Sequence, residues 1–89
     1  MQIVKNIENV ESGFYLVLAA HKDPAKRDAF IIKAIEAGQS DIDFFYNVNT
    51  GTYYIYYQKY TDIQDATKAL EQKGSKPYNG KMVIVKVEK

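Results

Sequence analysis

Cysteine and tryptophan are missing from this chain, histidine occurs once and proline twice. Without cysteine there are no disulfides and no thiol chemistry, and the redox compartment leaves no mark on the sequence. The single histidine, His21, has no cysteine beside it and no carboxylate at zinc-ligand spacing on a shared helix. It reads as a loop residue near a helix start, and no metal site is expected. No stretch reaches the roughly 18 apolar residues of a membrane span. The opening MQIVKNIENVES lacks the apolar core of a signal peptide. A basic excess is missing too, since the formal net charge is +1, whereas phosphate-binding surfaces carry a basic patch or stripe. Lys22, Lys26, Arg27 and Lys33 gather near one helix but alternate with Asp23 and Asp28, as on a solvated face. Asp41 and Asp43 read as solvated turn residues. There is no nucleophile–base pair and no phosphate-cradling glycine loop, so neither an enzyme, a catalytic residue nor a cofactor is expected.

What is present fits one small folded domain. Apolar residues make up 46% of the 89 and charged residues 26%, a balance that favours a buried core over disorder. Residues 1–12 scatter Ile3, Val4, Ile7 and Val10 among polar neighbours and read as a lead-in segment or linker, with a short strand or helical turn at most. The domain proper is expected over residues 13–89. GFYLVLAA (13–20) predicts a first strand. Asp23 is placed to cap a helix and Pro24 to open it, because the missing proline N–H has no partner in the first turn. Gly38 suits the left-handed position that ends it. IDFFYNV (42–48) and TYYIYYQKY (52–60) predict two strands joined by a tight turn at residues 49–51. Thr61 and Gln64 have capping-box spacing at the head of a second helix that closes at Gly74. KPYNG (76–80) is a turn-rich loop, and KMVIVKVEK (81–89) a last strand. The order βαββαβ predicts an α+β fold of the split, ferredoxin-like (RNP-like) kind, with a four-stranded antiparallel sheet and two helices on one face. The halves echo each other, with Tyr15-Leu16 and Tyr54-Ile55 each ahead of a capped helix closed by glycine.

The second half, YYIYYQKYTDIQDATKALEQKG, combines a tyrosine-led strand, a small turn ending in an aromatic, and a helix with alanine, leucine and a closing glycine. Tyr60, Ala66, Leu70 and Gly74 hold those places. GFYLVLAAHKDPAKRDAF follows the same plan more loosely. Over about residues 13–88 the chain resembles the SPOR (sporulation-related repeat) domain. The resemblance implies a non-catalytic module of a bacterial cell-envelope protein, located in the periplasm or envelope as part of a longer protein. It also implies binding of peptidoglycan glycan strands along the open face of the sheet. Any targeting segment would lie outside these residues. Leu18 stands where the family tends to carry glutamine, His21 where it carries an aromatic, and Gln58 where it carries glycine.

Side chains alternate across a strand, so each strand divides into two sets. The valine set Val83, Val85 and Val87 is the better core set of the last strand. Comparison with the family adds Tyr15, Val17, Ala19 and Tyr53, Ile55, Tyr57 to it. The open face then carries Ile84 together with the candidate ligand-binding residues Leu16, Leu18, Tyr54, Tyr56, Gln58 and Lys86. A tyrosine pair there suits stacking on sugar rings. A face this apolar is expected to be covered by residues 1–12, a second copy of the chain or a ligand. Leu18 offers no hydrogen bond to a sugar hydroxyl. The alternative reading is therefore a protein–protein interaction or homodimerisation module on the same face, with an envelope protein or a second copy as partner. RNA binding by a sheet like that of the RNA-recognition motif is a lesser alternative. The element order agrees, but the basic start and alternating glycines of that motif are absent, and nucleic acid is not the expected partner.

Overall fold

Seven elements follow one another along residues 1–89, all of which the computed structural model describes. They are β1 (Gln2–Lys5), β2 (Gly13–His21), α1 (Pro24–Glu36), β3 (Asp43–Asn47), β4 (Thr52–Tyr60), α2 (Ile63–Glu71) and β5 (Val83–Glu88). The strands form one sheet in the order β1-β5-β2-β4-β3. Strand β1 runs parallel to β5, and the remaining pairs are antiparallel. The expected four-stranded antiparallel sheet is thus corrected to a five-stranded mixed sheet, while the class remains α+β. The extra strand is the segment expected as a lead-in. Four residues are too few to display an alternation, and β1 owes its conformation to a partner at the far end of the chain, with Gln2 opposite Val85 and Lys5 opposite Glu88.

The helices start where the sequence places them, with one change. The Asp23 carboxylate accepts the Ala25 N–H at 2.9 Å, and Pro24 takes the first helical position. Helix α2 is capped by Asp62 rather than Thr61, its carboxylate accepting the Gln64 N–H at 2.8 Å. Aspartate is the better cap of the two, which moves the start one residue along. Each helix has a single fully buried residue, and in both it is alanine, Ala34 or Ala66. A side chain that small lets a helix lie close to the sheet. Arg27 of α1 clamps the β3–β4 hairpin, its guanidinium 4.6 Å from the Phe44 ring centre and 4.5 Å from that of Tyr53. Tyr46 stacks on Tyr53 in turn, with ring centres 4.7 Å apart.

Both faces of the sheet are buried. On one, Leu16, Leu18, Met82 and Ile84 pack under Phe30 of α1 and Ala66 and Leu70 of α2. On the other, Val4, Ile7 and Val10 pack against Tyr15, Val17, Phe45, Tyr54, Val85 and Val87. This second face is the concave inside of a half-barrel. In a flat sheet β1 and β4, three strands apart, would be roughly 14 Å from each other. Yet Gln2 Nε2 donates to the Tyr54 hydroxyl at 2.7 Å, so the sheet has curled enough to bring them together. Asn6, in the left-handed conformation at φ 60°, turns the chain out of β1, and Ile7 and Val10 then fill the hollow. Asparagine tolerates that conformation better than most residues.

Tyr15 sits at the centre of this second core. Its hydroxyl donates to the Glu11 carbonyl at 2.6 Å, and its ring meets Tyr56 edge-on at 4.7 Å. Burial, reinforced by Tyr56 and Glu11, pushes the hydroxyl up to about 12. A folded value above the unfolded one of about 10 stabilises the fold fully below pH 10, and that contribution is lost as pH climbs toward 12. The urea midpoint of the wild type should therefore fall across this window, and that of Tyr15→Phe should fall less. Equal pH dependence in the two proteins would show that Tyr15 is not the titrating group.

Candidate binding cleft

The six candidate residues do not share a face. Strand β4 divides as expected, with Tyr57 toward the helices and Tyr54 and Tyr56 on the other side. Strands β2 and β5 are inverted. Leu16, Leu18 and Ile84 lie under the helices, whereas Tyr15, Val17, Val85 and Val87 line the half-barrel. Two irregularities shift the phase. Leu16 pairs with Gln58 but Val17 with Tyr56, which leaves Tyr57 without a partner. Ala19 then pairs with Ile55, which leaves Leu18 without one. Each unpaired residue reverses the side-chain alternation beyond it. Leu16 is wholly enclosed, at 0% exposure, and Tyr56 is half-buried. Gln58 is exposed. The Lys86 ammonium lies over the Phe14 ring at 5.7 Å and pairs with Glu88 at 2.9 Å.

Leu18 and Tyr54 do meet, in a cleft at the end of the sheet. Strand β5 accompanies β2 only from Gly13 to Val17, where Val17 faces Val83. Strand β2 continues to His21 with β4 as its sole neighbour. Ahead of Val83 the chain swings away through the loop of residues 77–82. The gap between that loop and the end of β2 has a volume of about 620 Å³. Its floor is the β2 backbone from Leu18 to His21. Phe30 and Tyr78 wall it on the helix side, and Gln2, Tyr54 and Val85 on the half-barrel side.

Hydrogen-bond directions give the floor a specific property. The Thr50 and Gly51 N–H groups both donate to the Asn47 carbonyl, so Asn47 directs its backbone groups toward β4. These directions alternate along a strand, so Phe45 also bonds toward β4 and Phe44 points away. Indeed, the Phe44 N–H is taken by its neighbour's carboxylate, Asp43 Oδ1, at 2.7 Å. Phe45 faces Tyr54, so Tyr54 bonds toward β3. Its other neighbour, Ala20, therefore forms a non-hydrogen-bonded pair with it. The N–H and C=O of Ala20 point into the cleft, and no turn or cap hydrogen bond reaches them.

The loop that makes the far wall is held by Asn79, which is buried. Its Oδ1 accepts the Lys76 N–H at 3.0 Å, and its Nδ2 donates to the Lys73 and Gly74 carbonyls at 3.3 and 3.4 Å. Its own carbonyl accepts from Lys73 Nζ at 3.1 Å. Asn79→Ala removes the side-chain bonds and should cost on the order of 2 kcal/mol. It should also speed amide exchange at Lys76, as read by hydrogen-exchange NMR. Unchanged exchange there would show that the loop is held by other contacts.

No protein-family model matches this chain, and neither a curated protein nor a solved structure does. The chemistry available must be read from the residues themselves. No group of three or more histidine, cysteine, aspartate or glutamate side chains converges anywhere. No helix is long and apolar enough to cross a membrane. The cleft offers apolar walls, a free backbone donor and acceptor, and two ionisable residues outside the tyrosines, His21 and Lys81. Sequence patterns passed over Gln2, Phe30, Tyr78 and Lys81. The one visible cue was the turn-rich KPYNG, which marks where the chain departs from the strand.

Proposed function

We propose that this chain is a non-catalytic protein-interaction module whose cleft takes an extended segment of a partner as an added strand. The observation that carries this reading is the backbone of Ala20, whose donor and acceptor face a cleft with apolar walls on both sides. Strand addition uses main-chain hydrogen bonds for affinity and alternate side-chain pockets for selectivity. A segment laid beside Ala20 would send one set of side chains toward Phe30 and Tyr78 and the other toward Tyr54 and Val85. The protein-interaction reading, the alternative drawn from the sequence, is thereby moved from the face of the sheet to a gap in its edge. Glycan binding on the sheet face has less support, because Val4, Ile7 and Val10 occupy that face and a sugar would have to displace them.

The test uses Ala20→Pro, which removes the N–H facing the cleft and leaves the β4 ladder intact, a setting in which a strand tolerates proline. Random decapeptides displayed on phage should be enriched by the wild type and not by Ala20→Pro, with the variant's fold checked by its urea midpoint. Bound peptide should slow exchange of the Ala20 amide. Enrichment indifferent to the proline, or no enrichment at all, would overturn the proposal. Retention on amidase-treated cell-wall sacculi without peptide enrichment would instead favour the glycan reading.

A further inference from the structure

We infer that the segment accepted by the cleft is acidic, an extended peptide with apolar residues at alternate positions and carboxylates between or beside them. The inference rests on the strand-accepting reading and names its partner chemistry. No aspartate or glutamate lines the cleft, whereas His21 and Lys81 do. A smaller cavity of about 150 Å³ shares Leu18 and Tyr78 with the cleft, and is lined by Lys73 and Lys76, again without a carboxylate. Lys73 is engaged with the Asn79 carbonyl, which leaves Lys81 in the cleft and Lys76 in the adjoining cavity. Lys22 follows His21 directly.

These cations are unmatched inside the molecule. Its ion pairs are Arg27–Asp28, Lys59–Glu11 and Lys86–Glu88, and none includes Lys22, Lys76 or Lys81. The chain as a whole is nearly balanced, with 12 basic and 11 acidic residues, yet no carboxylate stands among the residues that line either cavity. A nucleic acid would satisfy the charge but not the floor, since it has no alternating N–H and C=O to match Ala20 and no row of apolar side chains to set against a wall. A peptide supplies all three.

Three N-acetylated, C-amidated hexapeptides separate the contributions, with valine alternating with glutamate, serine or lysine. The glutamate peptide should slow exchange of the Ala20 amide and bind about tenfold tighter than the serine peptide at low salt, as expected of a few exposed charge pairs acting together. Sodium chloride at about 1 M, where the screening length falls to about 3 Å, should erase that preference. Lys81→Glu, a change at an exposed position, should reverse it toward the lysine peptide. Equal binding of the glutamate and serine peptides would overturn the acidic partner and leave strand addition standing. Failure of all three to affect Ala20 would overturn both. A concentration-dependent dimer in sedimentation equilibrium that Ala20→Pro abolishes would assign the cleft to a second copy of the chain instead.

Discussion

A chain that begins at Gly13 is expected to lose cooperative folding, although that residue opens the segment that reads as the whole domain. Val4, Ile7 and Val10 are buried, Ile7 at 0% exposure. Full burial of such side chains contributes about 1.5–3 kcal/mol each, on the order of 6 kcal/mol together, against a total stability of typically 5–15 kcal/mol. Truncation also removes the strand that pairs with β5 and opens an apolar hollow containing Tyr15, Val17, Phe45 and Val87. The truncated chain should bind a hydrophobic dye, sediment as aggregates and unfold without a sharp transition. The milder Ile7→Ala should stay folded and lose about 3 kcal/mol, the usual cost of emptying such a site. A truncated chain that remained monomeric, with the wild-type urea midpoint, would return residues 1–12 to the status of a linker.

The sequence displays the elements whose causes are local. Asp23 and Pro24 start α1 by satisfying or removing first-turn donors, and Gly38 follows its end at φ 104°, as the sequence alone predicts. The β3–β4 hairpin is likewise announced by its own turn, Gly51 lying at φ 68°. Strand β1 has no such local cause, since Gln2–Lys5 is extended because β5 lies beside it. Its presence turns one-sided packing into two-sided packing and a four-stranded sheet into a five-stranded one.

The facing of the candidate residues likewise has no local cause. Alternation identifies which residues share a face, but only contrast between a wet and a dry face says which set is inside. Here both faces are dry, so the valine set of β5 and the leucine set of β2 are equally apolar and give no contrast. The unpaired Leu18 and Tyr57 then shift the phase between β2 and β4, and nothing in either strand's composition marks them. The cleft is a matter of unequal reach, β2 extending past the start of β5, and strand length at that resolution appears only once the partners are known. The tyrosines of β4 serve the structure before any ligand. Tyr53 stacks with Arg27, Tyr54 lines the half-barrel and the cleft, and Tyr57 packs toward the helices.

Leu16→Gln distinguishes the two assignments of the faces most sharply. On an open face the change would be nearly neutral, since glutamine is at home in water. Under the helices it deletes the apolar burial of a side chain at 0% exposure, worth about 2 kcal/mol. It also encloses an amide in a cluster built on Ala66, Met82 and Ile84, for a further cost of about 1–3 kcal/mol. The sum, on the order of 4 kcal/mol, should lower the melting temperature of a domain this size by at least about 15 °C. Gln58→Leu is the matched control. Gln58 stands opposite Leu16 in the register yet is exposed beside the unpaired Tyr57, and its replacement should stay within about 0.5 kcal/mol. Two neighbours assigned to one face by alternation would then differ several-fold in cost. If thermal melts instead found both changes mild, Leu16 would have to be reachable by solvent, and the open-face reading would regain its ground.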